Sequence, residues 1–195
     1  MNKTLIFATH NENKLKEIRE MVPSGLEVLG LTDIGFHEEI VEDAPDLEGN
    51  ARLKTLAVNR FKACNCFSDD TGLEVEALNG EPGVFSARYA GPQKSAEDNM
   101  DKLLAALADS NNRSAQFRTV IDLIWEGKHY QFEGIVKGEI VAEKMGEKGF
   151  GYDPIFQPEG FQKTFAQMDA HEKHQVSHRG RAMAKLMAFL QQKMA

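Results

Sequence analysis

The 195-residue chain predicts an α/β domain built around a mixed β-sheet. Three features carry that expectation. An apolar run near the N-terminus passes into helical spacing, an alternating hairpin occupies the second half, and helical patterns lie between and after these strands. Hairpins pair antiparallel while strand-helix-strand crossovers pair parallel, so a chain containing both reads as a mixed sheet flanked by helices.

Thr4-Leu5-Ile6-Phe7-Ala8-Thr9 is the first expected strand. His10 to Asn13 is a polar loop, after which Leu15, Ile18 and Val22 recur at helical spacing. A polar stretch leads to Asp46. Beyond it, Leu53, Leu56, Ala57, Phe61 and Cys64 form the apolar stripe of a second helix, with Asn50 and Lys54 four residues apart on one face. In Ser68-Asp69-Asp70-Thr71-Gly72-Leu73 two acids end an apolar approach, and Thr-Gly suits a tight turn. Ser95-Ala96-Glu97-Asp98 has the form of a capping box opening a third helix with Met100, Leu103, Leu104 and Leu107 inward. Phe117 to Trp125 alternates, Glu126-Gly127-Lys128 turns, and Tyr130 to Val136 returns as the second arm of a hairpin. The last helix is expected from His178 to Gln191, with Ser177 as N-cap and Ala182, Leu186, Phe189 and Leu190 buried. Without a repeat or linker, residues 1–195 read as one domain.

Composition bounds the function. A formal charge of −7 argues against a general binder of nucleic acid or acidic membranes, so any anion site must be local. Leu5-Ile6-Phe7-Ala8 is too short for a secretory core and no apolar run reaches membrane-spanning length, which predicts a soluble, cytoplasmic protein. Cys64 and Cys66 are too few for a disulfide framework and lack the partners of a zinc site. His171, His174 and His178 are closely spaced, but no cysteine or clear carboxylate completes a tetrahedral set.

Strand alternation sends Asp69 and Asp70 to opposite faces, so one serves a site and the other the scaffold; the pattern alone does not choose between them. Lys14 adds charge to a helix N-terminus whose unpaired N–H groups attract anions, although the glycine-rich phosphate loop motif is absent. Phe150, between Gly149 and Gly151, offers either a stacking face or a core contact in a glycine-rich turn.

Taken together, Thr9-His10-Asn11-Glu12-Asn13-Lys14, Glu42 to Lys54, Ser68 to Gly91, Phe150-Gly151-Tyr152-Asp153-Pro154 and Ser177-His178-Arg179 resemble, in order and spacing, the inosine triphosphate pyrophosphatase family. The resemblance implies an elongated mixed sheet flanked by helices in two lobes, with a nucleotide in a central cleft. It implies Mg²⁺-dependent hydrolysis of ITP, dITP and XTP to the monophosphate and pyrophosphate by a homodimer. It makes Asp70 metal ligand and proton acceptor and Glu42 a second acidic contact to the metal, Glu38, Glu39, Asp43 and Glu48 being its acidic neighbours. Thr9, His10, Asn11, Glu12, Asn13 and Lys14 become the substrate loop, with His10 where glycine is common, and Thr71 touches substrate. Lys54 and Lys173 match phosphate-contacting lysines, while Phe150, Gly151, Tyr152, Asp153, His178 and Arg179 read the base. Hypoxanthine and xanthine present a C6 keto acceptor where adenine presents a donor, so a donor-rich pocket would reject adenine by leaving donors unpaired. The rival readings are a Maf-type pyrophosphatase of modified or pyrimidine nucleotides and a nucleotide-binding module without turnover.

Overall fold

A computed structural model describes residues 3–194 of the chain. The elements are β1 (Lys3–Phe7), α1 (Glu12–Met21), β2 (Leu26–Leu29), α2 (Leu47–Phe61), β3 (Cys66–Val75), β4 (Pro82–Gly83), α3 (Ala96–Ala106), β5 (Ser114–Trp125), β6 (Lys128–Ile140), β7 (Phe156–Pro158), α4 (Ala170–Val176) and α5 (His178–Met194). Hydrogen-bonded neighbours follow the order β2-β1-β3-β5-β6-β7, with β4 beside β3. β1 pairs parallel with β2 and β3, whereas β3–β4 and β6–β7 are antiparallel, so the expected mixed sheet is present. Glu126 and Gly127, both at positive φ (50° and 75°), connect β5 to β6, which is the backbone of a two-residue hairpin turn.

The chain divides into two compact units. The first comprises Met1–Asp70, Thr119–Gly134 and Arg179–Ala195, and the second Thr71–Arg118 and Ile135–His178. In the first unit, alternate strand residues feed two cores. Leu5, Phe7, Phe67, Ile121 and Leu123 pack with Leu15 and Ile18 of α1 and with Ala182, Met183, Leu186 and Leu190 of α5. Ile6, Ala8, Cys66 and Ile124 pack with Val58 of α2. With both faces covered, the strands read as continuous apolar runs rather than clean alternation, which explains why Val120 to Ile124 are all buried. In the second unit, Met100, Leu103 and Leu107 of α3 pack on Leu73, Val75, Ala115, Phe117, Val136 and Ile140. Ser95 caps α3 by accepting from the Asp98 amide, as the capping pattern requires.

Four expectations are corrected. The stretch read as merely polar before Asp46 contains β2, whose four residues are too short to display a period. The buried face of α2 is Leu47, Asn50, Ala51, Lys54, Thr55 and Val58. The expected stripe is rotated away from it: Leu53, Leu56 and Ala57 are half-buried and Phe61 is exposed, because polar residues occupy the inward positions. Thr71-Gly72 forms no turn but lies inside β3, and a Cβ on Gly72 would come within 2.8 Å of the Gly83 carbonyl oxygen on β4. Finally, a separate helix, α4, ends immediately before the last one, and α5 runs beyond the expected Gln191 to Met194 with Phe189 only half-buried.

Phe67 is fully buried and stacks on Phe7 with ring centroids 4.6 Å apart. Replacing it by alanine should cost about 3–5 kcal/mol, the range for deleting a core aromatic, read from the urea midpoint. A loss under about 1 kcal/mol would contradict this account of the core.

Candidate active site

The first unit concentrates charge around Asp69 and Asp70, in the middle of β3. Phe67 faces the α1–α5 core and Cys66 the α2 core, so the two-residue period carries Asp69 toward α1 and α5 and Asp70 toward α2. Asp69 accepts from Lys14 Nζ at 2.8 Å and from Arg179 Nε at 3.0 Å. Arg179 Nη1 reaches Glu17 Oε2 at 2.6 Å. On the other face, Lys54 Nζ sits between Asp70 Oδ1 at 3.1 Å and Glu42 Oε2 at 2.7 Å. Helix α2 also holds the Glu42 loop: Asn50 Oδ1 accepts from the Ala44 amide at 3.0 Å.

Each group's titration follows from these contacts. Burial pushes the Asp69 carboxyl up, but Lys14 and Arg179 outweigh it and hold the group well below the usual carboxylate range. Asp70 moves the other way, raised by burial and by Glu42 beyond what Lys54 and Lys14 offset. Burial raises Glu42, but Lys54, Lys14 and a hydrogen bond with Asp70 together outweigh it, with a net downward shift. Burial lowers Lys14 more than Asp69 raises it, whereas Lys54 is raised, because Asp70 and Glu42 together overcome burial. Asp70 is therefore the carboxylate better able to accept a proton, and Asp69 is a fixed counter-ion.

The substrate loop predicted at Thr9 to Lys14 is a built N-cap. Asn11 Oδ1 accepts from the Asn13 and Lys14 amides at 3.0 and 3.1 Å, and the Asn11 amide donates to Thr9 Oγ1 at 3.1 Å. His10, Asn11, Glu12 and Asn13 are exposed, and His10 Nε2 lies 3.0 Å from the Glu38 carbonyl oxygen.

The second unit holds a separate aromatic site. Gly149 has φ 75° and a Cβ there would come within 2.0 Å of Asp153 Oδ2, so glycine is required. That oxygen accepts from the Phe150 amide at 2.8 Å and from Lys173 Nζ at 2.7 Å, and the ammonium lies 5.0 Å from the Phe150 ring centroid. Phe150 and Gly151 are half-buried. Tyr152, 5 % exposed, belongs to the core and donates its hydroxyl to the Ser86 carbonyl oxygen at 2.8 Å. His178 stacks on Phe117 at 4.5 Å and 18°. Half-buried Thr71 is the first residue of this unit.

Most expected residues thus fall into one of two clusters. Lys14, Glu42, Lys54, Asp70 and Arg179 share the first; Phe150, Gly151, Tyr152, Asp153, Lys173 and His178 share the second. Arg179, expected at the base, has its guanidinium on Asp69 and Glu17, while Lys173, expected at the phosphates, is bonded to Asp153. Glu17 escaped sequence reasoning, although its place three residues after Lys14 on one helix face was a usable signal. Among the described residues no group of three or more His, Cys, Asp or Glu side chains is disposed to hold a metal alone. Asp70 and Glu42 fit Mg²⁺ nonetheless, because both carboxylates already converge on one cation and Mg²⁺ takes one or two carboxylates together with substrate phosphates.

A family model described as the Ham1 family matches residues 5–189. The chain belongs to the Ham1 family. It is 57 % identical over 185 residues to the "dITP/XTP pyrophosphatase" of Flavobacterium psychrophilum, covering 95 % of this chain and 97 % of that one. Against the protein of the same name from Bacillus subtilis it is 42 % identical over 193 residues, covering 97 % and 98 %. The Ham1 protein of Staphylococcus aureus superposes with a TM-score of 0.88 at 41 % identity, covering 98 % of this chain and 100 % of that one. The HAM1 protein of Coxiella burnetii gives 0.89 at 35 % identity, covering 97 % and 99 %. The mixed sheet with its flanking helices is therefore a Ham1 fold. No helix of the described residues is long and apolar enough to cross a membrane.

Because Asp69 stays ionised in the folded Ham1 chain far below the pH at which it protonates when unfolded, it adds stability that is complete above about pH 5 and declines as pH falls toward its folded pKa. Asp69→Asn should therefore flatten the dependence of stability on pH between about pH 5 and 3. It should also cost about 3–5 kcal/mol at neutral pH by orphaning buried cations. Urea midpoints across that range measure both effects, and parallel wild-type and variant curves would contradict the assignment.

Proposed function

We propose that this Ham1 protein hydrolyses the non-standard purine nucleoside triphosphates ITP, dITP and XTP at the α–β anhydride, water in and nucleoside monophosphate plus pyrophosphate out, with Mg²⁺ as cofactor. The observation that carries the proposal is the ammonium of Lys54 shared by Asp70 and Glu42 beside the Lys14–Asp69–Arg179 cluster. Relatives named "dITP/XTP pyrophosphatase" over nearly their whole length support the substrate class.

Glu17, Glu42, Asp69 and Asp70 outnumber Lys14, Lys54 and Arg179, so the cluster as it stands does not attract a polyphosphate by net charge. Held by Asp70 and Glu42, Mg²⁺ would reverse that balance and neutralise phosphate oxygens. Lys14 and Lys54 bind phosphate oxygens, and the incoming negative charge favours the protonated form of Lys14 that burial disfavours. Arg179 and Glu17 hold Asp69 in place, and Asp69 holds Lys14. Asp70 takes the proton of the attacking water at a carboxylate oxygen. Thr9 to Asn13 shape the entry of α1, and Thr71 contacts substrate beside Asp70. Phe150 stacks on the purine, while Lys173 and His178, with loop amides, offer donors to the C6 keto oxygen. The proposal includes a homodimer in the cytoplasm.

Product analysis is the direct test. Incubated with ITP and Mg²⁺, the protein should release IMP and pyrophosphate, and EDTA should abolish turnover. Orthophosphate with IDP, or no reaction, would refute the proposal, and preference for UTP or methylated nucleotides would favour the Maf-type reading. Asp70→Asn should retain ITP binding and lose about 10²–10⁴ in kcat. Binding without turnover in the wild-type chain would instead indicate a regulatory module.

A further inference from the structure

We infer that Ser86 is a positioning residue for the loop Gly149–Asp153, acting through the hydroxyl of Tyr152. The inference rests on the proposal that Phe150 contacts the purine. Tyr152 lies in the same glycine-rich run as Phe150, yet the two rings differ in kind: Phe150 is half-buried, while the Tyr152 ring is enclosed by the α3-side core. A ring so enclosed offers no face for stacking, and what remains is its polar end, which donates to the Ser86 carbonyl oxygen at 2.8 Å.

Ser86 is itself fixed from both sides. Its Oγ accepts from the Leu73 amide of β3 at 2.9 Å and donates to the Gly83 carbonyl oxygen of β4 at 2.6 Å. The short 3₁₀ turn Ser86–Arg88 is clamped by Asn99 of α3, whose Oδ1 accepts from the Ala90 amide at 2.6 Å and whose Nδ2 donates to the Ala87 carbonyl oxygen at 3.1 Å. Serine supplies the one hydroxyl that ties this turn to two strands, and the turn presents its carbonyl to Tyr152. The segment Ser86-Ala87-Arg88-Tyr89-Ala90-Gly91 thereby gains a role that its composition does not advertise: it is the abutment for the aromatic loop.

The loop has two handles. One is ionic, Lys173 on Asp153 with the Phe150 amide bonded to the same oxygen. The other is the neutral, directional bond from Tyr152 to Ser86. Together they fix the backbone on either side of Gly151, whose φ of 62° places it in the left-handed region. Releasing the second handle lets the chain between Phe150 and Asp153 move while leaving the ion pair intact.

The test pairs Tyr152→Phe, which keeps the ring in its packing, with Ser86→Ala. Hydrogen exchange of the amides at Phe150 to Asp153 should accelerate about three- to tenfold in both variants, the equivalent of one lost hydrogen bond. The KM for ITP should rise by a similar factor with kcat within about twofold, and discrimination of ITP against ATP should fall. Unchanged exchange in the loop of a folded Tyr152→Phe variant would overturn the inference, as would a lowered melting temperature with KM and discrimination untouched. Absence of ITP turnover in the wild-type chain would instead refute the proposed function, and the exchange measurement, which needs no turnover, would still decide the positioning role.

Discussion

The architecture of the charged cluster depends on the two-residue period of β3 in a sheet covered on both faces. Phe67 points to the α1–α5 core and Cys66 to the α2 core. Ser68 points with Cys66, donating its hydroxyl to the Ala51 carbonyl oxygen of α2. The next two residues have no freedom in the matter: Asp69 must meet the cations of α1 and α5, and Asp70 the lysine of α2. Two adjacent acids of identical chemistry are thereby given opposite electrostatic fates by backbone geometry alone. No bend between them is needed, because each finds its partners on its own side of the strand.

That separation divides labour in a way a single face could not. A carboxylate between a lysine and an arginine in a buried setting is a permanent anion, useful for holding cations and useless for accepting a proton. Its neighbour, beside another carboxylate and one shared ammonium, has a raised affinity for protons. Lys54 is the hinge of the arrangement: Coulomb attraction to two acids keeps it charged despite burial, and it keeps those acids from repelling one another. Removing either acid would loosen the other's position as much as change its charge.

Much of this was legible in the chain. The N-cap at Ser95, the Glu126-Gly127 turn and the helix-face relation of Asn50 and Lys54 are local rules that the fold obeys. Where sequence reasoning failed, polar residues sat where apolar ones were expected. In α2, Asn50, Lys54 and Thr55 look like a solvated face and Leu53 and Phe61 like the inward stripe, whereas partners outside the helix, Ala44, Glu42, Asp70 and Asp122, bury the polar residues. Gly72 follows the same logic. Its neighbour Gly83 is eleven residues away in the chain and directly against it in the sheet, and no local pattern announces a close approach of that range. For Arg179 and Lys173, motif spacing orders the residues along the chain but does not say which carboxylate each will find: Arg179 pairs with Asp69 and Glu17, and Lys173 with Asp153.

The two clusters also differ in charge balance, and that difference bears on what each can recognise. In the first, four acids face three cations, so its affinity for an anion depends on what cation accompanies that anion. In the second, the Lys173 ammonium is paired with the Asp153 carboxylate, and the Phe150 amide and the Phe117–His178 stack belong to the same unit. A neutral heterocycle entering such a site meets shape, stacking and hydrogen bonds rather than field, so its selection tracks the fixed positions of donors and rings. Rigidity is then the property that matters, and Gly149 shows how it is obtained. Only an absent side chain lets the Asp153 carboxylate reach back over the turn, bind the Phe150 amide and hold Lys173 against the ring. A methyl group at that position would displace the carboxylate and release the amide, the ammonium and the ring orientation in one step.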